Sequence, residues 1–600
     1  LLLQRSGLKG AQGPTSGTSQ TRFARVQSVP METPVISDMV RTLLEKRGVK
    51  TPEDVQAFLT PDYEAHTHDP FLLADMDKAV ARVLLAIERN ERIAVYADFD
   101  CDGIPGASIL SDFFAKINYT NVEVYLPHRD REGYGFHCDA IAALAKREVK
   151  LIITVDVGTV AYEGVECANA HGVDVIVTDH HEVPSVDGVL KLPDAYAVIN
   201  PKRVGYPFPN LCGAGVAFKL VQALLIEGKK LHLAAFESIP DGWEKWLLDL
   251  VAIATVADMV PLVGENRALV YWGLKVLRKS PRAGIIALCN ELRLKRSELT
   301  EDDIGFSIAP RVNAASRMDE PDLALRLLTT TNVGEAEKLA AHLEELNAKR
   351  KGIVASIVRS ARKRVKERYT ENDRIVVLGD TEWKPSLLGL AANSIMNDRG
   401  GVVCLWGRDV NGNLKGSCRS DGVIAIPDLF AHSRESFLEC GGHNASGGFS
   451  VSHESIHTLP EKLEAAAATL LSDNKKDAAE ENASTYDIPI TLREISWPLL
   501  RDVAQLAPFG IGNRKPVFRI SRATVSIAKS FGKEKNHFEI TLSCSDTGMP
   551  MRAFDFFRSV EDFSHAPVVG SEVAMLATLE RDTFRSPARL ALRIVDVLSC

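Results

Sequence analysis

Between Ile93 and Ile199 short apolar runs alternate with helix-like segments, and this alternation limits the fold more than any other feature. RIAVYAD, VEVYLP, KLIITVD and VDVIVTDHH read as buried strands, with GASILSDFFAKI, CDAIAALAKR and YEGVECANAHG as helices between them. Strands that alternate with helices build a parallel sheet covered on both faces. Such a sheet binds ligands at the carboxyl ends of its strands. At those ends this sequence carries acids and imidazoles. Asp98, Asp100 and Asp102 follow the first strand, Asp156 ends KLIITVD, and Asp179, His180 and His181 end VDVIVTDHH. A helical stretch from about Val216 to Leu328 adds Asp258, in TVADMVPL.

A single Asp at such a position more often caps a helix or a turn. The set is another matter. Strand residues two apart share a face, so Asp98 and Asp100 project together. Carboxylates crowded in this way repel one another, and a divalent cation removes the repulsion. Mixed Asp/His ligation favours Mn²⁺, with Mg²⁺ or Zn²⁺ as alternatives. Five or six such ligands can hold two ions, which suits in-line attack of water on a phosphodiester.

Beyond this region, GEAEKLAAHLEELNAKRKGIVASIVRSARKRVKERY predicts one long connecting helix over Gly334–Tyr369, with a helical period of apolar residues. Its second half is basic, from Lys349, Arg350 and Lys351 to Arg368. That half is either a solvated face or a wall facing phosphates. DRIVVLGD and GGVVCLWG open a second α/β unit, and LSDNKKDAAEENASTYD reads as a linker. Six short β-rich runs follow, from PVFRI to RLALRIVDVL, and suggest a small barrel of the OB type. The expected order is a disordered leader at 1–30, an α/β domain at 31–332, the connecting helix at 333–370, a second α/β domain at 371–472, a linker at 473–487 and the barrel at 488–600. The net charge of −8 does not exclude a local basic groove. No apolar run is long enough for a membrane helix. The ten cysteines form no CxxC pair, so reduced thiols in a cytoplasmic protein are the expectation.

Four stretches, ADFDCDG, TVDVGT, TDHHE and ADMVPL, resemble the motifs of the DHH phosphoesterase superfamily. Others narrow the resemblance to the RecJ family of single-strand-specific 5′→3′ DNA exonucleases: REGYGFH, LCGAGVAFKL, APRVNAASRM, GSCRS, GGHNASGGF and LAPFGIGNRKPVF. They occur in the family's order from about Pro30 to the C-terminus. The resemblance implies a DHH domain joined by the long helix to a DHH-associated domain, with an OB-fold beyond. It implies two Mn²⁺ or Mg²⁺ ions held by Asp98, Asp100, Asp156, His180 and Asp258. His181 is then a ligand or a contact to the transition state, and Asp102 and Asp179 support the ligands from behind. Arg311, Asn313 and Arg317 are candidate substrate contacts. Ser417, Arg419, Gly441, Gly442 and His443 are candidates for a 5′-phosphate pocket. In the barrel Phe509, Phe518, Phe531, Lys529, Lys533, Lys535 and His537 could bind unpaired strand, although most of the aromatics are expected in the core. The implied partners are single-stranded DNA and a helicase or single-strand-binding protein, the implied roles are repair and recombination, and the protein is expected as a monomer. Four residues depart from the family pattern: Tyr96, Lys384, Ser386 and Cys440. Two rivals stand beside this reading. One is a small phosphodiesterase of dinucleotides, which needs no OB barrel. The other is a non-catalytic binding protein on a decayed DHH fold, in which metal ligands would be missing.

Overall fold

The structure is a computed structural model. It describes residues 36–600 except 371, 474–485, 533–534, 536, 544–549 and 583–586. The expected leader, nearly all of the expected linker and Lys533 lie outside the described residues.

The first domain is built on five strands: β1 (Arg92–Ala97), β2 (Val122–Tyr125), β3 (Val149–Val155), β4 (Asp174–Thr178) and β5 (Ala197–Ile199). They lie in the order β2-β1-β3-β4-β5, and every pairing is parallel. The central strands are apolar on both faces because helices cover both; Ile93 to Ala97 and Leu151 to Ile153 are fully buried. The chain steps outward from β1 to β2 and then returns to β3 on the other side of β1. The crevice between β1 and β3 is therefore the switch point of the sheet, and Asp98 and Asp156 stand at its two lips. Helices α1 (Gly103–Lys116), α2 (Gly213–Lys230) and α3 (Leu248–Ala257) pack over the sheet in one large core. Phe113, Phe114 and Phe218 are fully buried there, each worth about 1.5–3 kcal/mol of transfer from water. A π-helical turn, Ile304–Ile308, leads directly into α4 (Ala309–Arg317).

The predicted connecting helix is α5 (Val333–Arg368). Its first half buries Leu339, Leu343 and Leu346 against the first domain, and its second half buries Ile357, Val358 and Ala361 against the next. Most of its basic side chains face solvent or pair with acids, as Arg362 does with Asp398 and Arg364 with Asp380. The second domain contains α6 (Pro385–Arg399) and a sheet of β6 (Ile375–Gly379), β7 (Val402–Arg408), β8 (Leu414–Ser420), β9 (Glu439–His443) and β10 (Ser446–Val451). The order is β9-β10-β8-β7-β6, and only β6 and β7 run parallel.

Among the described residues the last domain has six strands: β11 (Ile488–Ile490), β12 (Phe518–Phe531), β13 (His537–Ser543), β14 (Met551–Phe556), β15 (Glu572–Asp582) and β16 (Arg589–Ser599). A β12–β15 pairing closes the barrel. Phe518 is fully buried in its core, so this aromatic is not available to a nucleic-acid strand. The barrel is docked on the first domain through the loop that precedes β12. Ile511 accepts a hydrogen bond from the Leu262 N–H at 2.7 Å, and Arg267 donates to the carbonyls of Ala507 and Pro508 at 2.9 and 3.2 Å. Lys515 pairs with Asp302, and Arg581 with Glu298 at 3.2 Å. Helices 38–46 and 52–59 share a small core with Leu506 at this junction. Among the described residues no helix is long and apolar enough to cross a membrane.

Candidate metal centre

Three overlapping groups of ligand atoms meet at the β1/β3 crevice: Asp98, Asp100 and Asp156; Asp156, His180 and His181; and Asp102, His180 and Asp258. Within each group the atoms lie within 4.8 Å of one another. All the metal ligands expected from the sequence are thus brought together. His180 Nε2 is the hub, at 3.2 Å from Asp156 Oδ1, 3.6 Å from Asp102 Oδ2 and 3.7 Å from Asp258 Oδ2.

The backbone is shaped to make this convergence possible. Asp156 has φ of 60°, a left-handed conformation that costs energy for a side chain of its kind. α2 begins directly against it: a Cβ at Gly213 would lie 2.6 Å from Asp156 Cβ, so only glycine fits. Asp102 closes the same corner. Its carboxylate accepts the N–H groups of Gly213 and Ala214, at 2.6 and 2.7 Å, at the positive end of α2. Asp179 belongs to none of the three groups. It accepts from Thr159 N at 2.8 Å and from the His180 and His181 N–H groups at 2.7 and 3.2 Å, and it holds His181 Nδ1 at 2.8 Å. Asp179 thus braces the two histidines, whereas Asp102, expected behind the ligands, also places an oxygen within one of the three groups.

The charges are unbalanced without cations. Burial, and then the charge of Asp100, push Asp98 up to about 8 and Asp102 up to about 7. Burial and the charges of Asp102 and Asp100 push Asp258 up to about 9, and the same causes hold Asp156 well above the usual range. Burial and the neighbouring His181 lower His180 to about 3, leaving a neutral imidazole. His181 goes the other way: burial opposes its charge, but Asp179 outweighs burial and raises it to about 9. Asp179, opposed by burial but bonded to His181, stays well below the usual carboxylate range. Asp98 Oδ1 and Asp156 Oδ1 are buried acceptors with no hydrogen-bond partner. Orphaned carboxylate oxygens beside a neutral imidazole are the donor set that a divalent cation fits.

Across the crevice stands the second domain. The His443 ring, at the end of β9, lies 6.2 Å from the His181 ring and nearly parallel to it. Gly441, Gly442 and His443 are exposed on this rim. Arg419 and Ser417, on β8, pack against α6, where a Cβ at Gly389 would meet both side chains. Arg317 joins the domains by donating to the Ser386 carbonyl at 2.7 Å. Burial, and then the charges of Arg129, Arg350 and Arg419, hold the Arg317 guanidinium well below its ordinary pKa. Arg129, Arg350 and Arg419 thus lie close enough to Arg317 to repel its charge, and among the described residues none of the four pairs with an acid. An uncompensated guanidinium cluster attracts phosphate.

Two of the candidate substrate contacts have other duties. Arg311 is buried and spends its guanidinium on Glu344, at 2.7 Å, and on the carbonyls of Ser307 and Phe306, at 3.1 and 3.4 Å. Its neighbour in α5 pairs with it and ties it to the turn before α4. Asn313 accepts the Cys101 N–H at 3.0 Å and pins the loop that carries Asp100 and Asp102. Sequence reasoning gave no role to Arg129, which stacks 4.7 Å over the Phe99 ring, or to Tyr134, whose hydroxyl lies 3.2 Å from the Asp156 carbonyl and 3.3 Å from His181 Nδ1. Both sit in the loop beyond β2, and the strand-end rule that found the acids applies to them as well.

The departures from the family pattern are structural. Tyr96 is buried, stacks on Tyr125 and donates to the Gly135 carbonyl at 2.9 Å, bracing the Tyr134 loop. Lys384 joins the domains through Asp319 and Asp130. Ser386 Oγ donates to the Arg317 carbonyl at 3.1 Å. Cys440 packs beside the core of the second domain.

Residues 92–255 match the model of the DHH family, N-terminal domain, and residues 486–596 match the RecJ OB domain. The single-stranded-DNA-specific exonuclease RecJ of Bacillus subtilis is 31% identical over 94% of this chain and 68% of its own length. The chain belongs to the RecJ family. Crystal structures of RecJ from Thermus thermophilus, one with Mn²⁺ and one with Mg²⁺, superimpose with TM-scores of 0.73 and 0.70 at 25% and 26% identity. Each alignment covers 94% of this chain, and 76% and 75% respectively of the Thermus RecJ chains.

Proposed function

We propose that this RecJ-family chain is a single-strand-specific exodeoxyribonuclease. It hydrolyses phosphodiesters from the 5′ end with two Mn²⁺ or Mg²⁺ ions and releases 5′-mononucleotides. The observation that carries the reading is the convergence of buried, unpartnered Asp98 and Asp156 oxygens with His180 and Asp258. Asp98, Asp100, Asp156, His180 and Asp258 would hold the ions, which when bound neutralise the carboxylates and polarise water and phosphate.

The remaining chemistry belongs to the chain. Arg317 and Arg129 draw the scissile phosphate toward the carboxylates, which could not approach it alone. Asp179 holds His181 Nδ1 at 2.8 Å, so the ring is fixed beside the carboxylates, with Nε2 3.5 Å from the Tyr134 hydroxyl. Tyr134 restrains the same ring. On the opposite rim Arg419, Ser417 and the exposed Gly441–His443 backbone receive a terminal 5′-phosphate, so cleavage starts at an end. The crevice between the domains is bridged by Lys384 and Arg317, which favours one strand over two. The barrel holds the strand that follows, with Lys529, Lys535 and His537 at its surface. Repair and recombination in the cytoplasm, beside a helicase or single-strand-binding protein, fit such an activity.

The test is Mn²⁺-dependent release of label from 5′-labelled and 3′-labelled single strands, with a duplex control and Asp156→Ala. Immediate release from the 5′ end alone, with duplex spared and the variant inactive, is expected. Strand binding without release from either end would overturn the enzyme reading.

A further inference from the structure

The loop that follows Asp258 is ringed by exposed apolar side chains that the hydrolytic site does not use. Met259 is 67% exposed, Phe306 79% and Ile511 51%. They come from three separate segments that meet here. Gly305 lies against Val256, two residues before Asp258: a Cβ on it would be 3.9 Å from Val256 Cγ1. Ile511 belongs to the LAPFGIGNRKPVF loop, whose backbone bonds to Leu262, four residues after Asp258. One exposed apolar residue needs no explanation, but three on segments that pack around one loop beside a binding site do.

The backbone under Phe306 is unusual as well. Residues Ile304–Ile308 form a π-helical turn, a rare element found mostly at functional sites. Arg311 supports it by donating to the carbonyls of Phe306 and Ser307, and Glu344 of α5 anchors Arg311 in turn. The turn is therefore rigidly held, yet it buries none of its aromatic ring in a core. It also has a defined place. On one side lies Asp258 of the metal centre. On the other the barrel is tied down at Asp302 and Glu298. Arg317, in the arginine cluster, is at the far end of α4 from Phe306, about 16 Å along the helix.

We propose that Phe306, flanked by Met259 and Ile511, is a nucleobase subsite on which a base of the incoming single strand stacks between the barrel and the metal centre. The inference rests on the exonuclease reading above. An aromatic face suits a strand of arbitrary sequence, because every base has a π-face. With the 5′-phosphate held at Arg419 and the scissile phosphate near Arg317, the stacked base lies 3′ of the cleaved bond. Arg311 acts on the strand indirectly, as a positioning residue for the turn.

The experiment compares wild type, Phe306→Ala, Phe306→Leu and Phe306→Trp on a 5′-phosphorylated single strand. A second series of strands carries one abasic residue, moved position by position from the 5′ end. Removal of the ring should raise KM about tenfold, the lower range for one base–aromatic stack, with kcat changed far less. Phe306→Trp should restore KM, and Phe306→Leu should not. At one position the abasic residue should raise the wild-type KM by the same factor and add nothing in Phe306→Ala. Unchanged KM in Phe306→Ala, equal rescue by Leu, or full additivity of the two losses at every position would overturn the subsite. Phe306 is exposed, so the thermal unfolding of the variants should match wild type and separate binding from folding. A wild-type protein that releases no nucleotide would defeat the exonuclease reading itself, and the subsite with it.

Discussion

Stripping the divalent cations should make the first domain lose stability as the pH rises, and Asp98 sets the scale. Its carboxyl moves from an ordinary value of 3.8 to about 8 in the fold, first through burial and then through Asp100. A raised folded-state pKa means that the fold prefers the protonated form. The contribution is complete below about pH 4, falls as the pH climbs, and is gone above about pH 8. Each unit is worth about 1.4 kcal/mol, so the full effect is roughly 6 kcal/mol, of which about 2–3 kcal/mol falls between pH 6 and pH 8. The neighbouring acids share the same repulsion, so it is counted once. At about 2–4 °C per kcal/mol this is a fall in Tm of roughly 5–10 °C. The assay is thermal unfolding in chelator at pH 6 and pH 8, for wild type and Asp98→Asn, each repeated with Mn²⁺. Asp98→Asn should be inactive yet lose much less stability over that interval, and Mn²⁺ should restore wild type at pH 8 far more than the variant. Parallel pH curves for the two proteins in chelator would refute the reasoning, because the repulsion would then not reside at Asp98.

Two further outcomes follow from close contacts. Gly213→Ala places a Cβ 2.6 Å from Asp156 Cβ; overpacking costs about 1–3 kcal/mol of stability, and the displaced ligand should lower nuclease activity at least a hundredfold while a folded circular-dichroism spectrum persists. Lys384→Ala removes the bridge to Asp130 and Asp319; KM for single strands should rise several-fold with kcat little changed, and limited proteolysis should cut between the domains faster than in wild type.

The acids were legible in the sequence because strand ends are. An apolar run of five or six residues locates a strand, the strand locates its carboxyl end, and Asp98, Asp156 and His180 follow at that point without further information. The long helix was legible for the same reason: its apolar period over Leu339, Leu343 and Ile357 is a local property, and the structure ends it within a residue of the prediction. The barrel followed from short runs with turns between them. Roles that depend on partners distant in sequence were not legible. Arg311 and Arg317 sit in one motif, six residues apart, yet Glu344 neutralises the first and three other arginines surround the second. Lys384, a departure from the family pattern with no role legible in the sequence, is a tie between domains. The packing of the second domain against the first brings His443 opposite His181, which no local pattern shows. Residue type and local period determine which groups can bind metal and where each element lies. Only the tertiary structure decides which charges are left unpaired, because pairing depends on a distance of a few ångströms between segments that the sequence separates by tens or hundreds of residues.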